Sequence, residues 1–361
     1  MKTRLLLFFL AISIVSCEKE IKVSESRLDY LPPSPALIIK ISNLTNFKSE
    51  LKNNNFINQV KGLSKFQSLM EKLEGLDPVS SNNPSLLAIY EVGKDNYDFL
   101  FVTTNTPGVF NVDSLANKTV ESINYQENSF TKYTLDNIEV YAQALDKDIV
   151  LTSSQLLMEN VSRTKRSNPV DPMLKRLFET TSLNKSASFY LNLTEKSSLL
   201  FNSETNTSPT NPFSEWISLD FTANSDQVRL NGIAMASDST NNFINLFKDT
   251  SPLANKTPEF APLNTQAVVS YTFDDYQTFA RNQNTYLDRV KKVDSLFNTI
   301  EEVGIIYLNN ERAVLLRSYG TEGLFEFMEN NSTASQSYQG SEILELGNKN
   351  FITDAFQPLV T

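Results

Sequence analysis

Two separated stretches of the chain share one pattern of apolar and polar positions. Residues 30–76 and residues 260–306 align without a gap, and a proline precedes a short apolar run in both. Apolar residues then recur at alternating spacings of about four and three, which is the spacing of one face of an amphipathic helix. The aligned pairs are Pro32 with Pro262, Ile38 with Val268, Ile39 with Val269, Phe56 with Tyr286, Val60 with Val290, Leu63 with Val293, Met70 with Ile300, and Leu73 with Val303.

Each stretch predicts a strand, then a helix, then two more strands. Residues 36–41 and 267–271 are apolar, β-favouring runs after a proline-containing turn, which is typical of buried strands. The helix of the second stretch is predicted from Tyr286, Val290, Val293, Phe297 and Ile300. The later strands are predicted at residues 86–90 and 99–103, and again at 304–307 and 313–318. The pattern therefore predicts a repeated β-α-β-β unit.

A third and weaker copy lies between these two. Residues 187–193 alternate in polarity and predict a strand, and residues 216–222 and 228–236 predict a hairpin. The helical part of this copy is poorly defined, because residues 202–211 are rich in Ser, Thr, Asn and Pro and predict a loop.

A different block follows the first copy. It predicts a helix at residues 112–122 and a second helix at residues 155–163. Asp171 and Pro172 open a third helix, with Asp as the N-cap and Pro at the first helical position. Between the first two helices, a meander of strands is predicted at residues 123–126, 131–135, 138–144 and 149–152, and a further strand near the C-terminus at 342–346.

These elements predict an α+β fold in which repeated β-α-β-β units form antiparallel sheets covered by helices. We expect a signal peptide at residues 1–16, a tether at 17–29, a first unit with a strand meander at 30–180, a weaker repeat at 181–255, and a third repeat at 256–361. The third repeat is expected to be truncated, because residues 351–361 resemble the middle of an element and the first block continues further after its hairpin.

The N-terminus carries a short apolar run that ends at the single cysteine. Residues 5–15 follow Lys2 and Arg4, and they are fewer than the about 20 residues that a bilayer-spanning helix needs. This layout is typical of a secretory signal. The ending Ile-Val-Ser-Cys resembles the lipobox of bacterial lipoproteins. That resemblance makes residues 1–16 a lipoprotein signal peptide, and it implies a diacylglycerol on Cys17, removal of the signal, and acylation of the new amino group.

The lipobox implies that the membrane is a partner of the chain through the lipid anchor on Cys17. Several acyl chains hold a protein on a bilayer stably. The next residue is Glu18, which resembles the outer-membrane default of lipoprotein sorting. Glu18, Lys19 and Glu20 weakly resemble an acidic surface-export tract, although a solvated tether explains them equally well. We therefore expect an outer-membrane lipoprotein of the cell envelope, and the sequence leaves its periplasmic or surface side open.

The whole arrangement resembles the envelope lipoproteins and DUF3352-like proteins of Flavobacteria and other Bacteroidetes. The resemblance rests on the layout and on the phrase LPPSPALIIKISNL at residues 31–44. It implies an N-terminal α+β region of this kind, often followed by a longer C-terminal part. It carries no catalytic residues, so it implies no activity.

Composition narrows the chemistry further. Hydrophobic residues make up 40% of the chain and aromatic residues 11%, which is enough for well-packed cores. The formal net charge of −10 argues against nucleic acid as a partner, because an acidic surface repels phosphate. Histidine is absent, and Cys17 is the single cysteine. Within this chain, Ser-His-Asp and Cys-His catalysis and His- or Cys-based metal sites are therefore excluded, and no cofactor-binding motif is present.

Several acidic motifs have both a structural and a functional interpretation. Asp274-Asp275 follows a predicted strand, where it could bind a cation but more simply caps the next helix. Residues 95–98 and 146–148 are read as hairpin turns rather than calcium loops. Two glutamate pairs, Glu71 with Glu74 and Glu301 with Glu302, are placed on helix flanks as solvated residues, with a carboxylate hydrolase as the alternative.

The remaining candidates are aromatic or are modification motifs. Trp216 could stack on a sugar, but packing beside Phe213 and Phe221 is the simpler interpretation. The Asp-Ser pairs that begin at Asp113, Asp238 and Asp294 resemble O-glycosylation motifs of exported Bacteroidetes proteins.

Three function hypotheses follow. The first is a lipid-anchored, non-enzymatic interaction or scaffold module whose partner is another envelope protein. The second is a ligand-capture lipoprotein that binds a glycan or a peptide, and an exposed aromatic platform with Trp216 would favour it. The third is a carboxylate-dependent hydrolase. No catalytic, metal or cofactor residues are assigned, and Cys17 is the single assigned site.

Overall fold

The computed structural model describes residues 25–60, 64–93, 96–164, 170–180, 185–194, 212–348 and 350–360. The chain forms two compact units. Unit 1 comprises residues 1–210 and 215–235, and unit 2 comprises residues 211–214 and 236–361. Helices and antiparallel sheets occur in both units, so the predicted α+β class is confirmed.

Unit 1 contains one large antiparallel sheet. Its strands are β1 (Leu37–Ile41), β2 (Ser85–Gly93), β3 (Asn96–Thr104), β4 (Lys118–Tyr125), β5 (Asn128–Leu135), β6 (Ile138–Leu145), β7 (Asp148–Thr152), β8 (Ala187–Asn192), β9 (Trp216–Ala223) and β10 (Val228–Met235). They lie in the order β10-β9-β8-β1-β2-β3-β7-β6-β5-β4. The central strands β1, β2 and β3 are almost continuously apolar, because helices cover both faces of the sheet at this point.

The helices of unit 1 divide between the two faces. They are α1 (Leu44–Asn53), α2 (Asn55–Val60), α3 (Ser64–Leu73), α4 (Gln155–Thr164) and α5 (Pro172–Thr180). On one face α4, α5 and a 3-10 helix at Glu25–Tyr30 pack on Ile38, Leu86 and Leu100. On the other face α1 and α3 pack on the alternate residues Ile39 and Leu87. The period-two pattern of each strand therefore contributes to two separate cores.

Unit 2 has a smaller sheet and an aromatic core. Its strands are β11 (Ala267–Thr272), β12 (Ile300–Tyr307) and β13 (Arg312–Ser318), in that order, with a separate hairpin of β14 (Ser332–Tyr338) and β15 (Ser341–Leu346). Its helices are α6 (Thr257–Phe260), α7 (Tyr276–Tyr286), α8 (Glu322–Asn330) and α9 (Phe351–Val360). Phe273, Phe279 and Phe356 are fully buried at the centre of its core.

Two predicted helices are wrong. The helix predicted at 112–122 is absent, because Lys118–Tyr125 forms β4 with the β-branched Thr119, Val120 and Ile123, and the residues before it form turns. The helix predicted for the second stretch, over residues 286–300, is placed too far towards the C-terminus. The observed helix α7 ends at Tyr286, and Ile300 already belongs to β12.

The predicted tether at 17–29 also needs correction. Arg27 and Leu28 are buried in unit 1, so residues 25–29 belong to the folded unit. Strand β8 and the hairpin β9–β10, which fall within the predicted second repeat at 181–255, extend the sheet of unit 1 by pairing β8 with β1. The helix opened by Asp171 and Pro172 is confirmed as α5.

Candidate functional site

The predicted lipid-attachment residue, Cys17, lies outside the described residues, as do Glu18, Lys19 and Glu20. Lipidation therefore stays a prediction from the sequence. Within the part of the chain that the structure describes, no helix combines the length and the apolar character needed to cross a bilayer.

The acidic pair Asp274-Asp275 serves local structure. The carboxylate of Asp275 accepts hydrogen bonds from the backbone N–H of Gln277 at 2.8 Å and of Thr278 at 3.2 Å, at the start of α7. The hydrogen bond from the Thr278 hydroxyl is the main cause that lowers the pKa of Asp275. Asp274 accepts the backbone N–H of Ser251 at 2.7 Å. The capping interpretation is therefore confirmed for Asp275.

Of the acidic residues predicted in hairpin turns, Asp146 lies in a turn and Asp98 lies in a strand. Asp146 lies in the β6–β7 turn with a positive φ of 54°, whereas Asp95 lies outside the described residues. Asp98 lies within β3 rather than in a turn, and its carboxylate accepts from Lys72 Nζ at 2.8 Å and from Ser153 Oγ at 2.9 Å. Asp98 is therefore part of the sheet and of a structural ion pair.

Asp148 forms a buried ion pair with Arg27. Arg27 Nη2 and Nε donate to Asp148 Oδ1 at 2.7 and 3.1 Å, and the two side chains are only 6% and 1% exposed. The guanidinium also donates to Thr104 Oγ1 at 2.7 Å and to the carbonyl oxygen of Pro84. Arg27 belongs to the Glu25–Tyr30 helix, and its partners Asp148 and Thr104 belong to β7 and β3, so these bonds fix that helix on the sheet of unit 1.

Glu302 is a buried carboxylate in β12, not a residue on a helix flank. It is fully buried, and it accepts from the backbone N–H and hydroxyl of Thr257 at 2.8 and 2.6 Å. Further donors are the backbone N–H of Lys256, at 2.9 Å to Oε1, and Ser270 Oγ at 2.7 Å. Gly304 allows this contact, because a Cβ there would lie 2.0 Å from the hydroxyl oxygen of Thr257. Glu302 thus anchors α6 on the sheet.

Arg317 completes the Glu302 site. Arg317 Nε lies 3.1 Å from Glu302 Oε2, and its Nη1 lies 3.2 Å from the carboxylate of Glu301. Burial by itself raises the pKa of Glu302, but hydrogen bonds from Thr257, Ser270 and Lys256 outweigh it and lower the pKa to about 2. Glu301 also belongs to β12, so the placement of this pair on a helix flank is wrong. Their carboxylates are occupied by structural hydrogen bonds.

Trp216 is a core residue of unit 1. Its side chain is 4% exposed, and its indole N–H donates to Asp171 Oδ2 at 3.0 Å. Core packing of Trp216 is therefore confirmed, but Phe221 lies in the core on the opposite face of the sheet, so the packing predicted beside Phe221 is wrong. Burial also removes the indole face that sugar stacking at Trp216 would need.

A cavity of about 250 Å³ lies next to Trp216 in unit 1. Prolines 32, 33 and 35 line it together with apolar residues. Its polar side chains already have partners. Asp171 accepts from Trp216 and caps α5 through the N–H of Met173, and Asn192 accepts from Thr194. The arrangement is that of a packed crevice with satisfied polar groups.

Unit 2 contains a larger pocket of about 480 Å³. Helix α7 contributes Tyr276 and Gln283, the loop after it contributes Arg289, Lys291 and Lys292, and α9 contributes residues such as Asp354. Pockets of this size commonly hold small molecules. The pocket is therefore the candidate binding site of the described chain.

Two polar groups in this pocket make no hydrogen bond to a described residue, and one of them, Gln283 Oε1, is a buried atom. The Tyr276 side chain is 4% exposed, and its hydroxyl makes no hydrogen bond to a described group. Gln283 is 3% exposed, and its Nε2 donates to the carbonyl oxygen of Ala355 while its Oε1 stays unpaired. Buried polar atoms in proteins are almost always paired, so Gln283 Oε1 needs an explanation.

Charged residues surround the Tyr276 hydroxyl. Burial, reinforced by the negative charge of Asp294 and opposed by the positive charge of Arg289, raises the pKa of Tyr276 to about 12. Tyr276 is therefore a neutral hydrogen-bond donor over the whole physiological pH range. Asp294 also accepts the backbone N–H of Leu296 at 2.9 Å, which fixes its position beside the pocket.

The three cations of the pocket differ in whether protein groups bind them. Arg289 donates from Nε to Asn284 Oδ1 at 3.1 Å and from Nη1 to Gln357 Oε1 at 3.2 Å. Asn284 also donates to the carbonyl oxygen of Lys291 at 2.7 Å, which fixes the course of the loop. Within the described residues, the ammonium groups of Lys291 and Lys292 have no ion-pair partner within 4.0 Å. They are free to meet an anion.

Aromatic rings form the apolar wall of the pocket. Phe351 lies 5.3 Å from Phe297 and 5.1 Å from Phe327, measured between ring centroids, and the second pair is stacked at 16°. Phe327 is 37% exposed, which leaves part of its surface available to a ligand. The pocket thus combines cations, neutral polar groups and exposed apolar surface.

Sequence reasoning missed this pocket. Its residues come from α7, from the following loop, from α8 and from α9, and no local motif joins them. One signal was available: Arg289, Lys291 and Lys292 form a basic cluster in a chain whose net charge is −10.

No group of three or more His, Cys, Asp or Glu side chains suited to a metal ion is present in the described ranges. The three Asp-Ser motifs place Ser114, Ser239 and Ser295 at exposed positions, and their modification stays a prediction. Comparison of the chain with protein-family models, with curated proteins and with solved structures finds no match.

Proposed function

We propose that this chain is a lipid-anchored protein of the bacterial cell envelope that captures a small ligand in unit 2 without transforming it. The observation that carries the proposal is the pocket of about 480 Å³, in which Gln283 Oε1 is buried without a partner and the Tyr276 hydroxyl makes no hydrogen bond to a described residue. A group that binds there would satisfy them and would meet the unpaired ammonium groups of Lys291 and Lys292. Capture of a ligand is the function that such an arrangement supports.

The lipid anchor in this proposal rests on the sequence of the leader. The run at residues 5–15 and the Ile-Val-Ser-Cys ending support acylation of Cys17 and an outer-membrane location. The resemblance to envelope lipoproteins and DUF3352-like proteins supports the same location. The net charge of −10 also fits a role that does not involve nucleic acid.

Non-catalytic binding is supported by the positions of the acidic candidates. Glu302, Asp275 and Asp148 are all committed to hydrogen bonds that hold helices on sheets or begin helices. The pocket itself contains Asp294 and Asp354, so a carboxylate hydrolase stays a hypothesis. Conversion of the bound ligand, detected by mass spectrometry after incubation, would favour that hypothesis over capture.

The fold of the proposed protein includes an internal repeat. In both units a strand is followed by helix and then by two strands, with the antiparallel order β1-β2-β3 in unit 1 and β11-β12-β13 in unit 2. Pro32 and Pro262 precede the first strand of each set. We propose that these sets are copies of one β-α-β-β unit.

A scaffold function is the second candidate, and the sheet edges of unit 2 favour it. Among the described residues, β13 has a neighbour on one side only, whereas its counterpart β3 lies between β2 and β7. Val314 is 37% exposed on this edge strand. An extended segment of an envelope protein could pair with β13 by strand addition.

Membrane attachment and ligand capture are tested separately. Cells that express the tagged protein are fractionated and shaved with protease, next to cells that express Cys17→Ala. We expect the wild-type chain in the membrane fraction and the variant in the soluble fraction. Retention of Cys17→Ala on membranes to the wild-type extent would contradict the anchor, and shaving would show which side the protein faces.

Capture is tested with an anionic aromatic dye, anilinonaphthalene sulfonate, which matches the cations and rings of the pocket. We expect one dye molecule to bind per chain and the double variant Lys291→Glu, Lys292→Glu to weaken binding by at least about tenfold. The matched control is Lys248→Glu, which changes an exposed lysine of unit 2 outside the pocket. Equal loss in both variants would contradict capture in this pocket.

A further inference from the structure

We infer that the pocket of unit 2 takes a saccharide that carries a carboxylate group. This inference rests on the proposed capture function and adds the chemical class of the ligand. Three features of the pocket have to be matched at once: its cations, its neutral polar groups and its aromatic wall.

The excess of positive charge in the pocket favours an anionic ligand. Arg289, Lys291 and Lys292 outnumber the carboxylates of Asp294 and Asp354 that share the pocket with them. The Arg289 guanidinium is oriented by Asn284 and by Gln357, so its position does not have to be fixed again when a ligand binds. Charge-assisted hydrogen bonds to a carboxylate are the strongest contacts that these side chains offer.

The neutral polar groups of the pocket favour a ligand with hydroxyl groups. Tyr276 offers a donor, and Gln283 Oε1 offers an acceptor. Asp354 is an exposed carboxylate, and in its ionised form it accepts hydrogen bonds but donates none. A hydroxyl group both donates and accepts, so a set of ring hydroxyls satisfies this alternation of donors and acceptors. A phosphate offers acceptors almost alone and would lie beside two carboxylates without donating to them.

The aromatic wall of the pocket favours a ligand with an apolar face. Phe327 and Phe351 are stacked 5.1 Å apart, and Phe327 keeps 37% of its surface exposed. The C–H face of a pyranose ring packs against an aromatic ring while its hydroxyls point outward to polar partners. A sugar acid therefore brings all three features in one small molecule, and a cavity of about 480 Å³ accommodates one to two such rings.

The test uses the full chain carrying Cys17→Ala, titrated by calorimetry with three probes. They are trigalacturonate, the neutral trisaccharide maltotriose and triglutamate. We expect trigalacturonate to bind, its affinity to fall as salt is raised, and maltotriose to bind at least about tenfold more weakly. Lys292→Gln should weaken trigalacturonate binding by about tenfold, and Tyr276→Phe by about threefold, whereas Lys248→Gln, outside the pocket, should leave it unchanged.

The remaining outcomes separate the inference from the proposed function. If triglutamate binds as tightly as trigalacturonate and with the same loss in Lys292→Gln, the pocket captures anions and the saccharide class is wrong. If none of the probes binds while the dye does, the saccharide class is likewise overturned and capture stands. If Tyr276→Phe and Lys292→Gln bind trigalacturonate like the wild-type chain, the sugar acid does not occupy this pocket.

Discussion

The two units each contain a cavity lined by a buried aromatic side chain with a polar group, and the two cavities differ in how those groups are paired. In unit 1 the indole N–H of Trp216 is bonded to Asp171, which also caps α5. In unit 2 the hydroxyl of Tyr276 has no partner among the described residues, although the side chain is equally buried at 4% exposure. A paired group contributes to folding, whereas an unpaired one lowers stability until something binds to it.

This difference assigns separate roles to the two cavities. The cavity beside Trp216 is expected to matter for the stability of unit 1 and to bind nothing. The pocket beside Tyr276 is expected to matter for binding and to contribute little to the stability of unit 2.

The largest effect is expected from the buried ion pair of unit 1. Asp148→Ala leaves the Arg27 charge buried without its partner, and the free energy of unfolding of unit 1 should fall by about 3 to 5 kcal/mol. Chemical denaturation followed by circular dichroism measures it. The control is Asp113→Ala, which removes an exposed carboxylate paired with Lys118 and should cost less than about 1 kcal/mol. Equal losses of stability in Asp148→Ala and Asp113→Ala would show that the Arg27–Asp148 pair does not hold residues 25–29 in unit 1, as the predicted tether requires.

A loss of similar size is expected at the satisfied cavity. Trp216→Ala removes a packed ring and should destabilise unit 1 by about 3 to 4 kcal/mol, with dye and saccharide binding unchanged. Phe56→Ala, at a side chain that is 56% exposed in the same unit, serves as the control with a loss below about 1 kcal/mol. Lost binding in a folded Trp216→Ala chain would contradict the division of roles.

The stability of unit 2 should depend on pH through Glu302. The pKa of Glu302 is about 2 in the folded chain, below its ordinary value of 4.5, so the folded state binds its proton less readily than the unfolded state. Stability from this group is fully present above about pH 4.5 and is lost as pH falls towards 2, by about 3 kcal/mol in total. Glu302→Gln should be less stable at pH 7 and should lose this acid dependence.

Its control is the neighbouring residue on the same strand. Glu301→Gln removes a partly exposed partner of Arg317 and should change the free energy of unfolding by less than about 1 kcal/mol. An unchanged acid transition in Glu302→Gln, measured by thermal melts from pH 2 to pH 6, would show that other carboxylates govern it.

The smallest effect on stability is expected at the unsatisfied pocket. Tyr276→Phe removes a buried hydroxyl without a protein partner and keeps the ring that packs on Phe279, Phe297 and Phe356. The melting temperature should stay the same or rise slightly, because no hydrogen bond is lost. A destabilisation above about 1 kcal/mol would mean that the hydroxyl is already paired in the folded chain.

Elements with local signals were predictable from the sequence. Strands β5 to β7 follow from alternating apolar residues and turn residues, and α5 from the Asp171-Pro172 start. The helix at 112–122 was wrong because Val112 and Leu115 have helical spacing but pack beside turns that precede β4. Where the helix signal was spread over residues 286–300, the Asp275 cap marked the true start of α7.

The pocket and the buried charges depend on tertiary contacts, and the basic cluster Arg289, Lys291 and Lys292 was the one sequence signal for the pocket. Arg27 and Asp148 lie 121 residues apart, and Glu302 meets Thr257 across 45 residues. Likewise, Tyr276 and Phe351 meet in one pocket only because the intervening strands return α9 to α7. Pairing of polar groups, which separates a structural cavity from a binding site here, is visible only in three dimensions.

The most direct test of this division is hydrogen–deuterium exchange of the full chain with Cys17→Ala, with and without trigalacturonate. The account predicts slower exchange at residues 276–297 and 348–355, which line the pocket of unit 2, and no change at residues 28–38 or around Trp216. Protection beside Trp216 with none at Tyr276 would contradict it.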